Sequence, residues 1–135
     1  MIKREAERLL IILAQQYKAV AVVGPRQSGK TTLVKKIFGH KPYVNFENSD
    51  VRLFAIEDPR GFLASYPNGA IFDEAQQVPG IFSYLQQIID ESDQKGMFII
   101  TGSNNFLLQD SISQSLAGRI AYLNLLPLTF EEIYD

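Results

Sequence analysis

Gly24-Pro25-Arg26-Gln27-Ser28-Gly29-Lys30-Thr31 satisfies G-x-x-x-x-G-K-[ST] at every fixed position. The run before it, Ala19-Val20-Ala21-Val22-Val23, reads as a buried strand. The segment after it, Thr31 to Phe38, reads as a helix with Leu33, Val34, Ile37 and Phe38 apolar and Lys35 and Lys36 outward. Strand, glycine loop and helix in that order are the context in which such a loop cradles phosphate. Gly24 and Gly29 let the backbone curl and turn its N–H groups inward, and the positive end of the following helix adds to that nest. Lys30 supplies a mobile cation for terminal phosphates, and the Thr31 hydroxyl suits a magnesium ion, which prefers oxygen ligands. The expected nucleotide shell is Gly24, Pro25, Arg26, Gln27, Ser28, Gly29, Lys30, Thr31 and Thr32. Arg26 is variable in the pattern and is read as facing solvent or a partner.

The chain has 135 residues, enough for one domain with a sizeable core. Its net charge of -2 is no electrostatic footprint for nucleic acid, which shows as a basic excess. Cysteine is absent, which excludes disulfides and thiolate metal sites. Lys3, Arg4 and Arg8 before the short apolar run Leu9 to Ala14 superficially suggest a signal peptide. Glu5 and Glu7 break the positive region, however, and Gln15-Gln16 follow where a small-residue cleavage site belongs. No segment is long enough to span a bilayer, so a cytoplasmic setting without membrane partners is expected.

Outward from the loop, the chain alternates strands and helices. Ile2, Ala6, Leu9, Leu10 and Leu13 recur at helical spacing and predict an opening helix with that face on a core. Gly39 is placed to stop the helix after the loop. Tyr43 to Phe46 reads as a second strand. Asn48-Ser49-Asp50 starts a helix through about Glu57, and Asp58-Pro59 opens another to about Ser65. After the turn Tyr66-Pro67-Asn68-Gly69, Ala70-Ile71-Phe72 is a third strand ending in Asp73-Glu74. Pro79 begins a helix with Ile81, Phe82, Leu85, Ile88 and Ile89 on one face. Met97 to Ile100 is a fourth strand. A helix carrying Leu108, Ile112 and Leu116 and ended by Gly118 follows, and Ile120 to Leu126 is a fifth strand. This alternation implies parallel strands with helices on both faces, a three-layer α/β/α sandwich with its ligand beyond the C-terminal strand ends. Gly24, Asp73 and Ser103 all fall at such ends.

Two acids close the third strand. If the strand continues straight, Asp73 and Glu74 point to opposite sides and cannot share one task. Asp73 is the expected magnesium holder, directly or through water, with Thr31. Glu74 is expected to orient or deprotonate an attacking water. Thr101-Gly102-Ser103-Asn104 ends the fourth strand; Ser103 is assigned to the nucleotide and Asn104 to a helix cap, roles that can be exchanged. Arg119 fits either a finger that offsets charge on a transferring phosphoryl group, serving a neighbouring subunit in a homo-oligomer, or a helix-terminal arginine favoured by the dipole. His40, the only histidine, lies in a Gly-His-Lys-Pro loop and reads as solvated. Phe54, Phe62, Tyr66 and Phe72 read as core.

Taken together, Gly-Pro-Arg-Gln-Ser-Gly-Lys-Thr-Thr-Leu, Ile-Phe-Asp-Glu-Ala-Gln, Ile-Thr-Gly-Ser-Asn and Ser-Leu-Ala-Gly-Arg resemble the AAA-type P-loop ATPases. More narrowly they resemble a prokaryotic group in which this domain precedes a C-terminal domain of poorly known, sometimes nuclease-like, character. The resemblance runs from about Glu5 to the last residue. It implies a sheet ordered 5-1-4-3-2, ATP or ADP with Mg2+ as ligands, and Lys30, Thr31, Asp73, Glu74 and Ser103 in the roles above, with Arg119 matching the family's arginine near the last core strand. It also implies a lid or C-terminal domain carrying adenine contacts. Thr129-Phe130-Glu131-Glu132 reads as a capping box with only a few residues after it. Residues 1–135 are therefore expected to be an ATP-binding core cut before such a part, with weak turnover in isolation.

The leading expectation is magnesium-dependent hydrolysis of ATP. The alternative is a nucleotide-gated switch or assembly module with little turnover. No Asn-Lys-x-Asp string supports guanine reading, and the paired Asp-Glu suits water activation better than a small-molecule kinase.

Overall fold

The computed structural model describes residues 2–25, 29–102 and 118–125. Helix α1 (Ile2–Gln16) leads to β1 (Ala19–Val23), α2 (Lys30–Ile37), β2 (Tyr43–Asn45), α3 (Ser49–Glu57), α4 (Pro59–Ala64) and β3 (Ala70–Asp73). Two short 3-10 turns, Ala75–Gln77 and Pro79–Ile81, precede α5 (Phe82–Glu91), and β4 (Phe98–Gly102) and β5 (Ile120–Asn124) complete the sheet. The expected helix at 108–116 and the capping box at 129–132 lie outside the described residues.

The five strands are all parallel and ordered β2-β3-β4-β1-β5, which bears out the sequence-based order and makes this a P-loop NTPase fold. The central strands are buried on both faces and so read as unbroken apolar runs rather than alternating ones. Alternation survives in which core each residue joins. Val20 and Val22 pack with Leu10, Ala14, Leu33 and Val34 beneath α1 and α2. Ala19, Ala21 and Val23 share the other core with Phe62, Phe72, Phe82, Leu85 and Ile89 beneath α4 and α5. Phe62 joins Phe46, Phe72 and Tyr66 in a ring cluster with centroids 5.4–5.9 Å apart, the edge-on and tilted packing that aromatic quadrupoles favour. These aromatics are core, as expected, although Phe54 is exposed while its ring meets Phe62 edge-on.

Local signals set the helix starts. The Asn48 side chain accepts from the N–H groups of Asp50 and Val51, and the Asp58 side chain accepts from Gly61 N–H with Pro59 at the first helical position. Gly69 has φ +88, and a Cβ there would meet the Met97 carbonyl, so this turn admits only glycine.

Several boundaries differ from expectation. In α1 Leu9 is 44% exposed, and Leu10 and Ala14 carry the contact with the sheet. The apolar stripe is wide enough for two registers, and packing against β1 and β5 chooses one. Strand β2 stops at Asn45 and β5 at Asn124, while β4 runs on through Thr101 and Gly102, whose backbone groups still pair with β1. The helix expected from Pro79 begins as a 3-10 turn and becomes α-helical at Phe82.

Candidate functional site

The candidate site lies where β1, β3 and β4 end together. Gly24 N–H donates to the Gly102 carbonyl at 3.3 Å, which holds the start of the glycine loop against the end of β4. Gly29 caps α2 with φ +84, a left-handed conformation that costs glycine nothing, and a Cβ built there would meet open space. Leu33 N–H donates to the Gly29 carbonyl at 2.9 Å, so α2 begins at once and directs its N-terminus toward the loop. Gly24 is buried, Pro25 exposed, Thr31 half-buried and Thr32 exposed on the first turn of α2. Arg26, Gln27 and Ser28 lie outside the described residues, as do Ser103 and Asn104.

Lys30 is the first residue of α2 and is buried. Its Nζ donates to the Pro25 carbonyl at 3.4 Å and stands 3.7 Å from Glu74 Oε1. Asp73, also buried, ends β3 and accepts from three hydroxyls. Thr31 Oγ1 donates to Oδ2 at 3.1 Å, Tyr43 Oη donates to the same oxygen, and Thr101 Oγ1 donates to Oδ1. Register explains Tyr43: it pairs with Ile71, Asn45 pairs with Asp73, and alternation puts Tyr43 and Asp73 on one face. Lys35 of α2 lies over the Tyr43 ring with Nζ 3.9 Å from its centroid. Burial and the carboxylate of Asp73 push the Tyr43 phenol well above its ordinary range.

Glu74 does not continue the strand. Its φ of 60° and ψ of 47° are left-handed, the one such non-glycine residue among those described. For an L-residue this conformation costs about 1–2 kcal/mol. It turns the chain into the 75–77 3-10 turn and brings the carboxylate back beside Lys30. The expectation that Asp73 and Glu74 face opposite sides is therefore corrected: the two acids serve the same rim because the backbone turns between them. Glu74 N–H donates to Thr101 Oγ1 at 3.3 Å, so Thr101 ties both acids together. Gln76 Nε2 donates to Glu74 Oε2 at 2.6 Å.

The structure thus brings together Lys30, Thr31, Asp73 and Glu74. It places Arg119 elsewhere. Arg119 precedes β5, and in a parallel sheet that is the edge opposite the glycine loop. Its Nε pairs with Asp90 Oδ1 at 2.6 Å at the end of α5, and that pairing holds the guanidinium above its ordinary pKa. From there it does not reach the phosphate loop of its own chain. His40 is exposed, as read. Thr101, Tyr43 and Gln76 escaped assignment. Thr101 and Gln76 stood inside motifs already quoted, and Tyr43 reads in sequence as one more apolar strand residue.

A magnesium–nucleotide complex fits these residues. Among the described residues a Cβ at Gly29 would meet nothing, the Lys30 side chain that follows is buried, and a hydroxyl and a carboxylate offer hard oxygens together. No group of three or more His, Cys, Asp or Glu that could cage a metal occurs among the described residues.

The family model described as an AAA domain matches residues 16–134. The chain belongs to the AAA domain family. Two proteins described as uncharacterized, from Mycobacterium tuberculosis and Mycobacterium bovis, are each 31% identical to it over 132 residues, or 97% of this chain. The chain spans only 30% of the length of each of these curated relatives. Among solved structures, a Walker-type ATPase of Pyrococcus abyssi superposes with a TM-score of 0.64 at 19% identity, covering 95% of this chain and 54% of that one. A DNA replication initiation factor gives 0.65 at 15%, covering 97% and 46%. The P-loop NTPase domain of the sigma-54 transport activator from E. coli gives 0.56 at 13%, covering 93% and 95%. At these identities the likeness is one of fold. Among the described residues, no helix of this AAA domain is long and apolar enough to cross a membrane.

Proposed function

We propose that this AAA domain binds ATP and ADP with magnesium and hydrolyses the β–γ bond of ATP. The observation that carries the reading is the buried cluster of Lys30, Asp73 and Glu74 at the rim beside the glycine loop. Charges taken out of water cost several kcal/mol each, about the scale of a whole domain's stability when summed, so a cluster like this suits a site where a charged ligand completes it.

Lys30 is read as leaving Glu74 for the terminal phosphates. The loop N–H groups and the N-terminus of α2 would hold the remaining phosphate oxygens. Thr31 and Asp73 would hold magnesium, which supplies charge neutralisation at the phosphates. Glu74, released from Lys30, would take a proton from the attacking water. Ser103 or Asn104, just beyond β4, is proposed to sense the terminal phosphate. Arg119 is proposed to act on a neighbouring copy, since its edge of the sheet faces away from its own loop. The mycobacterial relatives are much longer than this chain, and the proposal extends to a lid or C-terminal domain that works with this core.

A switch with little turnover has one specific observation in its favour: Glu74 is engaged by both Lys30 and Gln76. Phosphate release by the wild type and Glu74→Gln decides between the two. Hydrolysis that collapses in the variant while fluorescent-ATP affinity persists supports the ATPase; equal, near-zero rates with retained binding support the switch. Failure of the wild type to bind either ATP or GTP with magnesium overturns both.

A further inference from the structure

Gln76 carries an unsatisfied acceptor next to Glu74. Its Nε2 donates to Glu74 Oε2 at 2.6 Å. Its Oε1 is buried and has no hydrogen-bond partner among the described residues. The assignment of oxygen and nitrogen on this amide follows from chemistry, because an ionised carboxylate only accepts and so faces the NH2 group. The orphaned oxygen therefore sits beside the carboxylate read above as the base. An acceptor left without a partner is unfavourable, and a donor arriving with the ligand relieves it. Phosphate oxygens are acceptors and give it nothing. A water has two O–H groups, one for Glu74 and one for the Gln76 carbonyl.

We infer that Gln76 and Glu74 together hold the hydrolytic water, with Gln76 Oε1 as the second acceptor that fixes its orientation. The inference rests on the hydrolysis reading. The water oxygen forms a bond to the γ-phosphorus while the bond from that phosphorus to the β–γ bridging oxygen breaks, and the electron pair leaves with ADP. One water proton passes to Glu74. The other stays on the new phosphate and remains directed at Gln76. The left-handed turn at Glu74 has a purpose in this arrangement, since it faces side chains 74 and 76 toward each other across two residues.

The test compares wild type with Gln76→Met, which keeps the length and removes both polar atoms, and Gln76→Leu, which removes them with a branched apolar side chain. Fluorescent ADP with magnesium should bind all three within about two-fold, because Gln76 touches no phosphate. Phosphate release should fall by about 10²-fold in both variants, the scale of a lost contact at a reacting group, with KM little changed. Aluminium fluoride, which mimics the phosphoryl group under attack, should trap ADP on the wild type and release it at least ten-fold faster from the variants. If Gln76→Met fails to fold, Gln76→Leu carries the same comparison. Variants that turn over and trap like an active wild type overturn the Gln76 inference alone. A wild type that binds ADP but neither hydrolyses nor traps overturns hydrolysis and this inference together.

Discussion

An acid and a base meet at each end of this sheet, under opposite conditions. At the loop end Lys30 and Glu74 stand 3.7 Å apart with side chains 6% and 11% exposed. At the other end Arg119 and Asp90 meet at 2.6 Å with side chains 37% and 44% exposed. The shorter pair is the less consequential one. Water screens it, and pairs of this kind add little to stability. The longer pair is imperfect and shielded from solvent, so each charge lacks part of what it had in water. Distance alone ranks the two pairs wrongly; burial separates them.

Lys30→Ala should break the comparison most completely. Affinity for magnesium–ATP should fall by at least about 10²-fold, with circular dichroism unchanged, as fluorescence titration would show; this loss matches removal of a buried, charge-assisted phosphate contact of about 3 kcal/mol. An unchanged titration would refute the phosphate-loop assignment. Next in size is Glu74→Gln, which should cut phosphate release by about 10²- to 10⁴-fold, the range for a positioned base, while nucleotide affinity holds or rises because Lys30 is released.

Tyr43→Phe sharpens the contrast, since it removes one of the three hydroxyl donors that keep buried Asp73 satisfied. A stability loss of about 1.5 kcal/mol is expected by urea unfolding, the lower end for one hydrogen bond to a charged group because Tyr43 is partly exposed. The pH dependence has a defined sign. The phenol's pKa is raised in the folded chain above its ordinary value of 10.0, so its contribution is complete below about pH 10 and is lost as pH rises toward the folded value. Ultraviolet titration should therefore find a late-titrating tyrosine that disappears in Tyr43→Phe. The smallest effect belongs to Arg119→Ala, which should shift the melting temperature by less than about 2 °C, as for an exposed pair. Its informative readout is concentration: if Arg119 serves a neighbouring copy, hydrolysis per chain should rise with protein concentration in the wild type and stay flat in the variant.

Legibility in the sequence followed how local each signal was. The caps at Asn48 and Asp58 and the apolar run of β1 are short-range patterns with a single structural meaning, and each stands where it was expected. The sheet order came with the motif resemblance rather than with any periodicity. The core face of α1 was largely legible, since Ala6, Leu10 and Leu13 pack against the sheet as expected, while Leu9 turns outward and Ala14 joins the contact. The left-handed turn at Glu74 was not legible. Glutamate carries no preference for positive φ, and only surrounding contacts hold it there.

The sequence by itself determined a glycine loop of the phosphate-binding pattern between a buried strand and a helix, an acid pair closing the third strand, and parallel alternation, because these depend on residue types at fixed spacing. Tertiary structure alone decided that Asp73 is held by hydroxyls from α2, β2 and β4, that Gln76 clasps Glu74, and that Arg119 lies on the far edge. These contacts join residues that sheet register and one strained turn bring together, and neither follows from spacing along the chain.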